Sequence, residues 1–452
     1  MGRSVTGGAP WVGRRLHFVG IGGAGMSGIA LVAAALGADV TGSDRAESAY
    51  VARLREAGID PAIGHDAHNL PDGDDVELVY STAVGPDNPE RALARERGLT
   101  ELHRADVLAE ITALRPTVAI TGTHGKTTTA AMTVHALRGA GADPGYLVGG
   151  EVRSTGSNAG WGAGEWTVVE ADESDRSMLK LQPAVALVTN VELDHHATYA
   201  SRLDLEEAFA QFLALAPRRI VWDRPDLVEL AMDAGDAEVV SFDVPEAELR
   251  PDGVRFQWRG HDVALAVPGA HNALNAAAAL EACRAAGADL DRAVAALADF
   301  RGAGRRFELV GTTASGAAVY DDYAHHPTEV AATIAAARTL EPARVVAVFQ
   351  PHLYSRTLGL HREFGAALAR ADVVVVLDVY PARERAEDFP GVTGRLVAAA
   401  AADAAGGRPV YWLPDFATAD PVLHGLLRAG DLCLVMGAGD IDTLGRNLVA
   451  AR

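Results

Sequence analysis

Three times in this chain an apolar, β-prone run stops in glycines: LHFVGIGGAGMSG at 16–28, TVAITGTHGKTTT at 117–129 and LCLVMGAGDIDTL at 432–444. After the first two the spacing of apolar residues turns helical at once, and strand, glycine turn and helix in that order open a βαβ unit. Other apolar runs, VELVYSTAV (76–84), TVVEA (167–171), AVALVTNVE (184–192), RVVAVFQ (344–350) and DVVVVLDVY (372–380), alternate with Ala-, Leu- and Arg-rich helical segments. The expected class is α/β with mainly parallel sheets. The first two openings lie too far apart to share one sheet core, so a boundary is placed between them. A second falls in the Gly- and Arg-rich stretch DFRGAGRRFELVG (299–311), where a helical segment meets a new strand. Three domains result, 1–106, 107–302 and 303–452. The segment 238–268, with a Pro-Asp-Gly turn at 251–253, reads as a hairpin inside the middle one.

Apolar residues at 49% and charged residues at 22% exclude a disordered or fibrous chain. The 60 acidic against 40 basic residues leave a formal charge of −20. Such a surface repels nucleic acid and anionic membranes, so neither is an expected partner, and an anionic ligand needs a local site. The two cysteines, Cys283 and Cys433, stand in apolar stretches. They read as buried thiols of a protein of the reducing cytoplasm, not as a disulfide framework. Behind Arg14-Arg15 the uncharged run Leu16 to Ala38 imitates a signal peptide or membrane span. Its glycines at 20, 22, 23, 25 and 28 suit a phosphate turn instead. Met1-Gly2 with Thr6 fits only a loose myristoylation pattern, and Met1 to Gly13 reads as a frayed tail.

The first turn, Gly20-x-Gly22-x-x-Gly25, is followed at the end of the next strand by Asp44. Glycines allow close approach to a pyrophosphate, the helix start offers oriented N–H groups, and the acid can accept from a ribose hydroxyl. A dinucleotide and an NAD-dependent oxidoreductase stay open on this motif alone, as does a purely structural turn.

The second turn is sharper. Gly122-Thr123-His124-Gly125-Lys126-Thr127-Thr128 keeps the end of a P-loop, although Ile120 stands where its first glycine is expected. Backbone N–H groups cradle phosphates, the lysine reaches the β and γ oxygens, and a hydroxyl serves Mg²⁺. Lys126 is one of only two lysines in the chain, the other being Lys180. Glu170 ends a later strand, with Asp172, Glu173 and Asp175 beyond it, and Asp194, His195 and His196 follow another. Ligands of open α/β sheets sit outside the carboxyl ends of strands, so Glu170 and His195, with Thr127, are the expected Mg²⁺ ligands.

Taken in order, TGTHGKTTT, VVEADESD, TNVELDH, PGAHNALNAAAA (268–279), GAGRRFE (302–308), YDDYAHHPTE (320–329) and FQPHLYSRT (349–357) resemble the Mur ligase family of peptidoglycan synthesis. The similarity runs over nearly the whole chain. It implies an N-terminal Rossmann-like domain for the UDP of a sugar nucleotide, a central P-loop ATPase-like domain with a mainly parallel sheet for ATP, and a C-terminal Rossmann-like domain for an amino acid. The implied partners are UDP-N-acetylmuramate, L-alanine and ATP with Mg²⁺, in a monomer or weak homodimer. By the same resemblance Gly22, Gly23, Ala24, Gly25, Met26 and Ser27 line the pyrophosphate, with Asp44 and Ser81 near ribose and uracil. Gly122 to Thr128 hold the ATP phosphates, Asn272 and Asn275 read adenine from one face of a helix, and Arg306 and Asp322 reach the nucleotide. Tyr323, His325, His326 and Arg356 surround L-alanine and the reacting carboxylate. Two departures stand out. Leu353 occupies a place where many relatives carry a second arginine, and no lysine follows His195 to be carbamylated as a further metal ligand.

The implied reaction is ATP-dependent amide formation through an acyl phosphate. It is a matter of positioning and charge neutralisation, which agrees with the missing Ser or Cys nucleophile motif. Lys126, Arg356 and Tyr323 would act in catalysis, Lys126 and Arg356 by carrying charge and Tyr323 also by binding substrate, and His124, His195, His196, His325 and His326 are open candidates for the ammonium proton. A sister ligase for another amino acid or a peptide, and a nucleotide-regulated binding protein without catalysis, remain the rival readings.

Overall fold

The computed structural model describes residues 9–194 and 198–450. The chain folds into two compact units, one of 1–191, 206–242 and 278–293, the other of 192–205, 243–277 and 294–452. The first unit holds two sheets. Strands β1 (Arg15–Val19), β2 (Asp39–Asp44), β3 (Ala62–Ile63), β4 (Val76–Tyr80) and β5 (Thr100–His103) form an all-parallel sheet in the order β3-β2-β1-β4-β5. The order reverses at β1, so the first glycine turn leaves the sheet at its topological switch point, where such sheets bind ligands. Helices α1 (Ala24–Ala35), α2 (Ala49–Glu56) and α3 (Pro89–Glu96) accompany these strands, and α4 (Arg104–Leu114) leads to the next sheet. The boundary expected at 106 therefore falls inside a helix.

The second sheet is built of β6 (Thr117–Thr121), β7 (Gly145–Val152), β8 (Ser157–Trp161), β9 (Thr167–Glu170), β10 (Val185–Val188), β11 (Arg218–Trp222) and β12 (Glu238–Phe242). Their order is β12-β11-β10-β6-β9-β7-β8, parallel except at the β7–β8 edge. Strand β6 is buried throughout, as the centre of a doubly covered sheet must be, and α5 (Lys126–Gly139) follows it. Helix α1 lies close to the β7–β8 edge because Gly28 has no side chain. A Cβ there would stand 3.2 Å from Asn158 Nδ2 and 3.3 Å from the Ala159 methyl. Gly28, taken from sequence as part of the phosphate turn, is thus a packing glycine.

In the second unit β13 (Ala247–Arg250), β14 (Gly253–Trp258) and β15 (His261–Leu265) make a small antiparallel sheet. The expected hairpin of 238–268 is corrected accordingly: its first strand joins the large parallel sheet, and the Pro-Asp-Gly turn links β13 to β14. The last sheet comprises β16 (Glu308–Thr312), β17 (Ala318–Asp322), β18 (Arg344–Phe349), β19 (Val373–Val376), β20 (Val410–Trp412) and β21 (Asp431–Met436), ordered β16-β17-β21-β18-β19-β20. Only the β16 edge is antiparallel. Val345, Ala347 and Phe349 of β18 enter one apolar cluster, and Val346 and Val348 enter another on the opposite face. Two-sided burial explains why these strands read as unbroken apolar runs.

Cys283 and Cys433 are fully buried free thiols. The tail reading of the first thirteen residues needs correction at its end, where buried Trp11 donates its amide to the Leu36 carbonyl and takes the Arg14 guanidinium over its ring. Among the described residues no helix is long and apolar enough to cross a membrane.

Candidate active site

At the first turn, α1 starts after Gly23 without a side-chain cap. The N–H groups of Ala24, Gly25 and Met26, the first three of the helix, therefore have no acceptor within it. Gly22 donates to Asp44 Oδ2 at 2.8 Å, and Ala46 donates to Asp44 Oδ1 at 3.3 Å. Asp44 thus braces the turn in this structure. Ser81 leaves β4, the neighbour of β1, and its carbonyl takes the Val84 amide. Ser27 is corrected as a pyrophosphate ligand: its amide already donates to the Gly23 carbonyl at 2.8 Å, and its buried hydroxyl donates to the Ala24 carbonyl and receives Asn158 Nδ2.

Next to this turn stands Arg104, the first residue of α4, 15% exposed, whose Nη2 donates to Asp172 Oδ2 and to Asp175 Oδ2, both at 2.8 Å. Arg104 and the Ser174 hydroxyl and amide outweigh burial at Asp172 and hold that carboxyl down at about 2. Although burial opposes its charge, Arg104 is itself raised by the two aspartates.

The second turn wraps its own lysine. Lys126 Nζ donates to the carbonyls of Gly122 at 2.6 Å and Thr123 at 3.1 Å, and to Glu173 Oε1 at 2.9 Å. Burial works against the ammonium, but Glu173 and Glu170 more than compensate and raise it above the ordinary lysine range. Thr127 Oγ1 donates to Glu170 Oε1 at 3.0 Å, while Glu170 Oε2 accepts the Gly149 amide at 2.7 Å. The Thr123 and His124 amides, expected to cradle phosphate, are spent on Asn190, on its carbonyl at 3.1 Å and its Oδ1 at 2.9 Å. The helical amides of Lys126, Thr127 and Thr128 are the first three of α5 and so have no acceptor within the helix. Gly122 is obligatory: its φ is +136°, and a Cβ would lie 2.0 Å from Thr189 Oγ1. His195 and His196 lie outside the described residues, so the expected third metal ligand has no described position.

The second unit gathers the other predicted residues. Asn272 and Asn275, both buried, begin the helix Ala270–Ala285 on one face, Asn275 Nδ2 donating to Asn272 Oδ1 at 3.2 Å and Asn272 Nδ2 to the Pro268 carbonyl at 2.7 Å. Asp322 closes β17 by accepting the Phe307 and Ala324 amides, each at 2.7 Å. Burial pushes its carboxyl up to about 6 against the pull of Arg306. Arg305 and Phe307 flank Arg306 with positive φ of 56° and 49°, a strained turn of the kind that gathers at functional sites. Both guanidinium groups lie over the Tyr323 ring, 5.1 Å from its centroid. Arg305, which sequence does not separate from Arg306, is a brace, bonded to Asp321, Gly437 and Gly439.

His325 donates Nδ1–H to the Tyr323 carbonyl at 2.9 Å, and burial lowers it to about 4, so it is neutral near pH 7 with its Nε2 lone pair available. His326 caps the helix Pro327–Arg338, its Nδ1 accepting from Thr328 while Glu329 completes the capping box. Arg356 donates Nε to Asp194 Oδ1 at 2.9 Å and Nη2 to Asp194 Oδ2 at 3.0 Å, and its Nη1 lies 3.2 Å from His352 Nδ1. His352, missed from sequence, stacks on Tyr380 and meets the His325 ring edge-on at 6.0 Å. Leu353 is buried with φ at +69°, so no second guanidinium accompanies Arg356 there.

Three family models match in succession: "Mur ligase family, catalytic domain" over residues 15–115, "Mur ligase middle domain" over 120–283 and "Mur ligase, glutamate ligase domain" over 305–439. The chain belongs to the Mur ligase family. This Mur ligase is 44% identical to the UDP-N-acetylmuramate–L-alanine ligase of Rubrobacter xylanophilus over 96% of its own length and 99% of that protein's. It is also 44% identical to the enzyme of the same name from Streptomyces griseus, covering 98% of each. A crystal structure of a UDP-N-acetylmuramate–alanine ligase from Thermotoga maritima superposes with a TM-score of 0.81 at 30% identity, over 96% of this chain and 98% of that one.

Within this Mur ligase the predicted P-loop residues, Glu170 and Thr127 come together in the first unit, and Asp322, Tyr323, His325 and Arg356 do so in the second. Arg104 and Asn190 are additions. Arg104 opens a helix, where no spacing in the sequence marks it out, and only TN at the end of β10 hints at Asn190.

Proposed function

We propose that this chain joins L-alanine to the carboxylate of UDP-N-acetylmuramate with ATP, releasing ADP and phosphate. The observation that carries the reading is the P-loop whose Lys126 lies against its own carbonyls and Glu173, with the Thr127 hydroxyl on Glu170. It stands in a chain 44% identical, nearly end to end, to proteins named for that reaction.

Carboxylate oxygen is a poor leaving group, so the acid is activated first. The muramyl carboxylate attacks the γ-phosphorus in line, the bond to ADP breaks, and an acyl phosphate forms. The neutral amine of L-alanine then attacks the carbonyl carbon, phosphate departs with the C–O electron pair, and the ammonium proton passes to a base. Lys126 and the first amides of α5 hold the transferring phosphate's charge, which is most of what phosphoryl transfer demands. Thr127 and Glu170 offer hard oxygen donors suited to Mg²⁺. When bound, the ion neutralises phosphate charge. The turn amides of α1 take the UDP diphosphate, with Asp44 and Ser81 beside the nucleoside, and Asn272 and Asn275 take adenine. Arg306 and Asp322 serve the nucleotide, and Tyr323, His325 and Arg356 serve the amino acid and the reacting carboxylate. His326, a helix cap at Nδ1, is the weaker candidate for the proton; His325 keeps Nε2 for it. Two free thiols and an ATP requirement suit the cytoplasm.

The test is phosphate release from ATP with each substrate omitted in turn, followed by ligation with L-alanine, glycine, L-serine and a tripeptide. Release that needs both the nucleotide sugar and L-alanine is expected. Release without an amine acceptor, or a preference for the tripeptide, would overturn the reading.

A further inference from the structure

Arg104 lies between the two nucleotide turns of the first unit and faces both. Its Nη2 is fixed by Asp172 and Asp175, the acids that flank Glu173, partner of Lys126. Its Nη1 lies 3.5 Å from the point a Cβ on Gly25 would occupy, beside the first amides of α1. Among the described residues Nη1 carries no hydrogen bond, although the side chain is only 15% exposed. Here one edge is spent and the other is held at the rim of a helix start.

We propose that Arg104 is a ligand of the sugar nucleotide's diphosphate, Nη1 bonding a phosphate oxygen while Nη2 stays on the acid loop. This rests on the assignment of the α1 turn to UDP. Asp172 and Asp175 hold the guanidinium in place before the ligand arrives, so little side-chain freedom is lost on binding. A Cβ at Gly25 would stand in ordinary van der Waals contact with Nη1, which places the guanidinium directly beside the helix start. The arrangement also links the diphosphate, through one rigid group, to the loop that positions the partner of Lys126.

The experiment is titration of the full chain and its Arg104→Gln variant with UDP-N-acetylmuramate and UDP by calorimetry, with uridine by ligand-observed NMR, and with ATP. Loss of one charge-assisted phosphate bond weakens binding roughly 10- to 100-fold. That loss is expected for UDP-N-acetylmuramate and UDP, with changes under about threefold for uridine and ATP. Arg104→Lys should recover part of the UDP affinity. If Arg104→Gln folds poorly, Arg104→Gln with Asp175→Asn removes a charge left behind and replaces it in the comparison. Equal affinity for UDP in variant and parent, or an equal loss for uridine, would overturn the proposal while leaving the α1 assignment intact. Failure of the parent chain to bind any uridine compound would overturn both.

Discussion

Arg356 holds Asp194 with two parallel bonds, Nε to Oδ1 at 2.9 Å and Nη2 to Oδ2 at 3.0 Å, and both side chains are only 4% exposed. The fork is thus already filled by a carboxylate of this chain, and Nη1 faces His352. An amino-acid carboxylate bound by Arg356 must displace Asp194, an exchange of like for like that costs little charge. Arg356→Lys keeps the charge and loses the fork, so the KM for L-alanine should rise at least about tenfold while that for ATP stays within about threefold. Unchanged KM for L-alanine would remove Arg356 from amino-acid binding. Removing one partner of a buried pair strands the other, so Asp194→Leu should lower stability by about 3 kcal/mol in urea unfolding, and the double replacement with Arg356→Leu should restore most of it.

Lys126 approaches Glu173, itself 1% exposed, at 2.9 Å. Lys126→Ala removes the cation meant for the transferring phosphate and should lower kcat by several hundredfold, as losing one preorganised charge contact of about 3 to 4 kcal/mol does. The affinity for UDP-N-acetylmuramate, bound at a different turn, should stay within about threefold. A variant with near-normal ligation would show that Lys126 only braces the loop.

Gly122 has the backbone no other residue adopts readily, at φ +136°, and a Cβ would sit 2.0 Å from Thr189 Oγ1. Gly122→Ala must move the loop or Thr189, and a strained left-handed residue costs about 1 to 3 kcal/mol. ATP affinity should fall at least about tenfold, with α-helical content by circular dichroism unchanged. Intact ATP affinity would mean the loop reshapes freely.

Much of this was legible because βαβ openings advertise themselves. Strand, glycines and helix placed the turns at Gly20–Gly25 and Gly122–Thr128 at the ends of β1 and β6, and Asn272 and Asn275 share a face as their spacing requires. The misreadings came from phase and from tertiary partners. Ser27 sits in the right motif, but it is the fourth residue of α1, and there the amide is already in the helical ladder. Gly28 looked like a turn glycine because sequence does not show the sheet edge at Asn158 and Ala159 that needs its space. Arg104, Asn190 and His352 earn their places from neighbours distant in the chain, Asp172, His124 and Arg356, and no local spacing announces such pairs. Arg305 and Arg306 are adjacent and alike, and only the bonds of Arg305 to Asp321, Gly437 and Gly439 show which of them braces the turn.

Three histidines of the second unit make its stability depend on pH. Burial lowers His271 and His325 from 6.5 to about 4 and His352 to about 3. Unfolded, each takes a proton near 6.5; folded, none does until well below 5. Between those values the unfolded chain binds more protons, so stability rises with pH and is lost as pH falls from about 6.5 toward 4. Asp322 works in the opposite sense. Its carboxyl is raised from 3.8 to about 6, so the folded state binds the extra proton over that interval, and its contribution is lost as pH rises through 6. It offsets one of the three, leaving a net slope on the order of 2 to 3 kcal/mol per pH unit at the steepest, since each group adds about 1.4. Urea unfolding at pH 7.5, 6.0 and 5.0 should show the decline, and His352→Gln should flatten the slope by about half. A flat profile would mean that these rings meet solvent in the folded protein.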